Sequence, residues 1–316
     1  MRPRMILATA LAAIVLGGVL VVSNGFAMLG EEERRGQASA KEAGTGQSPA
    51  SAALNAAPDP APPPPPPPAT LVAGPVSVKV NGFYSWALLD RKTGKISGSR
   101  NITSTNSTES MVKVWLVSDY LRRVAAKGSK PSSSRLSQAS TAIRDSNDNS
   151  AQALYEAGGG NSVIRRMISI CELTETTVFS GWWSRTQISA RDAVRLGECV
   201  ADGRAAGPEW TTWVLREMRL VRGSTAKADQ HAKSGGGRWG IIDGLPPEIL
   251  AQGVSIKNGW TAIGADGKWH INCLAVGKYW VLAVLMRFPV GLGLDYGANV
   301  CESVAEQLAV RPAAKG

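Results

Sequence analysis

An α+β domain is predicted by three features of this sequence. Strand-like runs near residues 83–98 and again at 254–286 bracket a long helical block, so a sheet would draw strands from both ends of the folded part. Met111–Leu121 has the length of a helix and almost no polar surface, which suits the centre of a domain. The last three strand-like runs are separated by tight turns at Ala265-Asp266-Gly267 and Gly277-Lys278, the pattern of an antiparallel meander. The expected architecture is an antiparallel sheet built from both chain ends and covered by helices, with an all-α lobe inserted over about residues 105–240.

The first segment, residues 1–29, reads as a membrane anchor. Arg2 and Arg4 precede an apolar run from Met5 to about Val22, near the length a bilayer requires. The basic flank predicts an inside N-terminus and an extracytoplasmic remainder. Asn24-Gly25-Phe26-Ala27 is a poor small-x-small cleavage site, which favours an uncleaved anchor over a removed signal peptide. No cysteine lies near this run, which argues against a lipid-modified cysteine. Residues 30–75 are rich in Ala, Gly, Ser and Pro, with prolines from Pro62 to Pro68, and predict an extended linker.

The folded domain is expected over residues 76–316. Phe83–Leu89 reads as a strand, Asp90–Lys95 as a turn and Ile96 as the start of a partner strand. Thr108 is placed to cap the apolar helix that follows. Helices are expected at Ala139–Asp145, Ala151–Ala157, Ser162–Cys171, Ala190–Asp202 and Pro208–Arg219, and a loop at Ser234–Gly240. Strands follow at Val254–Trp260, Trp269–Val276 and Tyr279–Met286, then a helix over about Asp295–Leu308.

The formal net charge is +10. Up to Pro75 five basic and five acidic residues cancel, so the excess sits on the folded part. With no run of five basic residues and no nucleic-acid motif, a nucleic-acid partner is not expected, and the charge reads as a solvated surface suited to an anionic cell wall. Outside the membrane, Cys171, Cys199, Cys273 and Cys301 suggest two disulfides. Three connectivities are open, and sequence proximity favours Cys171–Cys199 with Cys273–Cys301. No C-x-x-C spacing occurs and His231 and His270 are isolated, so neither a metal site nor a Ser-His-Asp esterase is expected, and no cofactor is implied.

Candidate chemistry begins at Ser110 and Lys113, three residues apart and so on one face of a helix. A lysine among apolar neighbours is costly to keep charged unless paired, and with a lowered pKa it can take the proton of a serine hydroxyl. Ser224-Thr225-Ala226-Lys227 has the same spacing in a polar stretch, so context selects Ser110. Downstream come Ser146-Asn147-Asp148, a helix ending in Gly158-Gly159, and then Lys257-Asn258-Gly259-Trp260 on a strand. Lys92-Thr93-Gly94 precedes Ser110 and reads as a turn.

In this order and setting, the motifs resemble S-x-x-K, S-D-N and K-T-G of the class A β-lactamase and penicillin-binding superfamily of serine hydrolases. The resemblance covers roughly Val76 to Leu308. It implies a β-lactamase/transpeptidase-like fold and a monomeric hydrolase for β-lactams or D-Ala-D-Ala-type wall peptides. It implies Ser110 as nucleophile, Lys113 as base or relay, Ser146 as donor to the leaving nitrogen and Lys257 as its electrostatic support and an attractor of the substrate carboxylate. Asp148, Asn258, Gly259 and Trp260 would contact substrate. Two departures stand out. Asp148 replaces an amide donor with an acceptor, and Glu172 and Glu175 lack the setting of the deacylating glutamate, so release of an acyl group should be slow. A wall-facing binding domain of the same fold is the competing expectation.

Overall fold

The computed structural model describes residues 67–231 and 235–310. The anchor reading of residues 1–29, most of the linker reading and Ser234 lie outside the described residues. Among the described residues no helix is long and apolar enough to cross a membrane.

Strands β1 (Thr70–Leu71), β2 (Phe83–Asp90), β3 (Ile96–Gly98) and β4 (Thr105–Ser107) come first. Helices α1 (Lys113–Ala125), α2 (Ser133–Arg144), α3 (Asp148–Ala157) and α4 (Asn161–Ile170) follow, then β5 (Gln187–Ser189), α5 (Ala190–Ala201), α6 (Thr211–Arg219), α7 (Lys227–His231) and α8 (Pro247–Leu250). The chain ends with β6 (Ser255–Ile256), β7 (Gly259–Ile263), β8 (Lys268–Val276), β9 (Trp280–Pro289), α9 (Gly293–Leu308) and β10 (Ala309–Val310).

The main sheet runs β3-β2-β9-β8-β6, with β7 also on β8, and every pairing is antiparallel. Strands from both chain ends therefore meet at β2–β9 in its middle. β8 and β9 are apolar and buried nearly throughout, because helices cover both sheet faces. On one face α5 lies so close that a Cβ on Gly197 would come within 2.5 Å of Val281. On the other, the Cys273–Cys301 disulfide ties β8 to α9. The second disulfide, Cys171–Cys199, ties the end of α4 to α5. Both pairs are those that sequence proximity favours.

Three local expectations change. The strand expected over Val254–Trp260 is interrupted at Lys257-Asn258, whose polar side chains are buried between β6 and β7. Packing starts upstream of Val76: Ala69 and Leu71 are buried, and β1 pairs with β10. Thr108 is not a side-chain cap, because its backbone is already helical and its hydroxyl turns to the Ser184 carbonyl at 3.2 Å.

Candidate active site

The turn that carries Ser110 is held from beneath by buried amides. Asn106 Nδ2 donates to the Ile271 and Met286 carbonyls and to Asn272 Oδ1. Asn272 Nδ2 in turn donates to the Ser107 and Thr108 carbonyls at 2.8 and 3.1 Å. Both amide nitrogens find carbonyl or amide acceptors across the sheet, so the turn has little freedom. β4 pairs with β5, and Thr108 N–H donates to the Thr186 carbonyl, which fixes the loop before β5 beside the same turn. Glu109–Val112 form a single 3₁₀ turn that runs into α1.

Lys113 opens α1 and Lys257 sits at the break between β6 and β7; both side chains are 0 % exposed. Their ammonium groups converge on Ser146, in the loop before α3. Ser146 Oγ is 3.2 Å from Lys113 Nζ and 2.9 Å from Lys257 Nζ. Lys113 also donates to the Ser146 carbonyl and to Asp148 Oδ1. Burial lowers the pKa of Lys113, opposed by the Asp148 and Glu109 charges. Burial, followed by repulsion from Lys113, lowers that of Lys257 further. A hydroxyl between two such amines can donate to whichever is neutral and accept from the other.

A cavity of about 650 Å³ opens over these groups, lined by Ser110, Ser146, Asp148, Trp183, Gln230 and Trp260 among others. Trp183 closes one side: its ring lies 5.4 Å from Lys113 Nζ and its Nε1 donates to Gln152 Oε1 at 2.9 Å. Trp260 closes the other, edge-on to Trp239 and donating to Gln230 Oε1 at 2.8 Å.

The remaining residues singled out in the sequence have distinct placements. Asp148 lines the cavity, and its carboxylate accepts from Lys113 at 2.6 Å. Asn147 caps α3 by accepting from Ser150 N–H. Asn258, expected to contact substrate, is instead buried and donates to the Gly237 and Trp239 carbonyls at 3.1 and 2.7 Å, because those buried carbonyls need a donor. Gly259, expected to admit substrate, lies close against the backbone of the Ser110 turn. A Cβ there would stand 2.5 Å from the Thr108 carbonyl oxygen and 2.6 Å from Met111 N. Lys257 reaches the cavity through Ser146 rather than directly, since it is fully buried. Ser224 donates to Asp229 and Lys227 is exposed, so the second S-x-x-K forms no buried pair. Lys92 and Thr93 donate their N–H groups to Asp90 in a turn.

Neither glutamate of the following loop lines the cavity. Glu172 is exposed, as expected of a turn residue, whereas Glu175 is ion-paired to Arg191 and accepts from Ser189. Sequence reasoning missed Glu109, which lines the cavity although it is only 2 % exposed, and whose φ is +46°. It also took His270 as isolated. His270 Nδ1 is 2.7 Å from Ser107 Oγ and its Nε2 is 2.7 Å from Asp266 Oδ2. Ser107 is 1 % exposed and its hydroxyl donates to Glu109 at 2.6 Å, so this is no open nucleophile. No sequence signal marks the group, because Ser107 and His270 are 163 residues apart. Among the described residues no cluster of three or more His, Cys, Asp or Glu side chains could hold a metal.

No protein-family model matches the chain. LppW of Mycobacterium tuberculosis and Mycobacterium bovis, a protein named as a lipoprotein, is 27% identical over 194 residues, 61% of this chain. The match spans 59% of the length of LppW. PBP-A superposes with a TM-score of 0.56 at 14% identity, covering 73% of this chain and 90% of PBP-A. A PBP-A variant solved as an acyl-enzyme complex with penicillin G gives 0.54 at 14% identity, over 72% and 88%. The extended-spectrum β-lactamase TLA-1 gives 0.57 at 13% identity, over 72% and 94%. The described domain therefore has the fold shared by class A β-lactamases and PBP-A, the β-lactamase and penicillin-binding fold.

Proposed function

We propose that this domain is an acyl-serine hydrolase of β-lactams or wall peptides, reacting through Ser110 and releasing its acyl group slowly. The observation that carries the reading is Ser146 Oγ, held between Lys113 and Lys257 in the cavity that Ser110 lines. Ser110 Oγ attacks the acyl carbon and its proton passes to Lys113, whose burial disfavours the charged form. Ser146 hands a proton to the leaving nitrogen, held by Lys257. The Ser110 N–H and one from the strand beyond Gly259 face the developing oxyanion. The contact between that strand and the Ser110 turn supports this arrangement. That PBP-A variant's acyl-enzyme is a precedent on this fold for the same covalent step.

One observation favours the second reading, a wall-facing binding domain. Asp148 can only accept a hydrogen bond, and it is engaged with Lys113, so it offers no donor to a substrate carbonyl. We place the domain outside the cytoplasm, tethered by residues 5–22; the two disulfides and the lipoprotein name of LppW support such a location.

Incubating the full-length protein with a fluorescent penicillin, followed by intact mass and peptide mapping, tests the proposal. A lasting adduct on Ser110, absent from S110A, is expected. No adduct with penicillin or with activated acyl esters would leave the binding-domain reading in its place.

A further inference from the structure

Four side chains form a continuous hydrogen-bonded line from the cavity to the surface. Glu109 Oε1 is 2.6 Å from Ser107 Oγ, Ser107 Oγ is 2.7 Å from His270 Nδ1, and His270 Nε2 is 2.7 Å from Asp266 Oδ2. The first three residues are buried, whereas the Asp266 side chain is 40% exposed. One end of the line is therefore wet, and the other lies in the lining of the cavity beside Ser110.

Three contacts need three protons. Two arrangements supply them. In the first, an imidazolium donates to Asp266 and to Ser107, and Ser107 donates to a Glu109 carboxylate. In the second, a neutral imidazole donates to Asp266 and accepts from Ser107, while Ser107 accepts from a protonated Glu109. Both hold the same number of protons and differ only in whether His270 or Glu109 carries the mobile one. Lys113 faces Glu109 at one end, and Lys268 and Arg287 face Asp266 at the far end.

The backbone of Glu109 adds an independent observation. Its φ of +46° is a conformation that glutamate rarely adopts, and such outliers cluster where function holds them. Here the buried amides of Asn106 and Asn272 fix the residues just before it.

We propose that Glu109 is the proton acceptor for release of the acyl group, coupled through Ser107 and His270 to Asp266 at the surface. This rests on the acyl-serine reading of Ser110. A water oxygen forms the new bond to the acyl carbon and its proton goes to Glu109. As the bond from that carbon to Ser110 Oγ breaks, Ser110 Oγ takes the proton back. One water is consumed, a carboxylic acid leaves, and Glu109 is again a carboxylate. Glu109 so supplies a carboxylate that Glu172 and Glu175 do not bring to the cavity. Ser107 and His270 are positioning residues.

Two measurements on the full-length protein test this. The decay of the Ser110 penicillin adduct is followed by mass spectrometry in wild type, E109Q, E109D and H270Q from pH 5 to 9. E109Q should form the adduct at a near-normal rate but lose it about 100-fold more slowly, the usual size of a general-base effect. E109D should recover part of that loss, and H270Q should move the pH profile of decay. Equal decay in E109Q and wild type would overturn the proposal. The second measurement needs no acyl chemistry. Imidazole nitrogen NMR should show a change at His270 Nδ1 between wild type and E109Q, because Ser107 joins that nitrogen to the Glu109 carboxylate. An unchanged spectrum in E109Q would show that the two groups do not share a proton. A changed spectrum without any wild-type adduct would instead sink the acyl-serine reading and leave the coupling standing.

Discussion

Gly259 sets the distance between the start of β7, two residues after Lys257, and the turn that carries Ser110. The atoms a side chain would strike are the Thr108 carbonyl oxygen, held by the buried Asn272 amide, and Met111 N, which donates to that same carbonyl. They cannot give way as a flexible side chain would. G259A should therefore cost about 1–3 kcal/mol of stability, the range for overpacking, and should lower penicillin labelling at least tenfold; chemical denaturation and adduct mass check the two. Labelling as in wild type would mean that the strand and the turn can separate without consequence. At this scale Lys113 was legible in the sequence, because it stands among apolar neighbours where a charge needs a reason, whereas Lys257 was singled out only by its motif resemblance. Asn258 was misread because its partners, the Gly237 and Trp239 carbonyls, come from a separate loop. Glu109 was invisible because a left-handed φ at a non-glycine residue leaves no mark in composition or spacing.

The loop from Leu173 to Thr186 brings Trp182 and Trp183 to the cavity, and Glu175 holds its base. Burial pushes the Glu175 carboxyl up, but the Arg191 guanidinium and the Thr174 and Ser189 hydroxyls outweigh it and bring the pKa down to about 2. A depressed carboxyl contributes stability that is present above the ordinary value of 4.5 and is lost as pH falls toward about 2. The stability difference between wild type and E175Q, measured by urea unfolding, should thus be constant from pH 7 to 5 and shrink below that. A difference that grows toward low pH would contradict the pairing. Among the elements, α1 and the β8–β9 meander were legible from hydrophobic pattern. The β4–β5 pairing was not, since three-residue strands carry too few positions to show a period.

Across the whole molecule, the two disulfides join layers that noncovalent packing alone would otherwise hold. Cys273–Cys301 links the sheet to α9 and Cys171–Cys199 links the helical lobe to α5, each across 28 residues. Loop closure of that length corresponds to about 3–4 kcal/mol per bridge in the chain-entropy account. Replacing Cys273 and Cys301 by serine should lower the Tm by roughly 5–10 °C or more in a domain of this size, as read by calorimetry. An unchanged Tm would show that the α9 layer is held by packing alone. The order of apolar patterns along the chain determined the strands from both ends, the helical insert and the buried Lys113, because periodicity and burial are local properties of composition. Only the tertiary structure decided which polar atoms meet: Glu109 with Ser107 and His270, Asn258 with a loop, Trp183 with Lys113. Those contacts hold over a few tenths of an ångström between segments remote in sequence, and no local pattern encodes a distance.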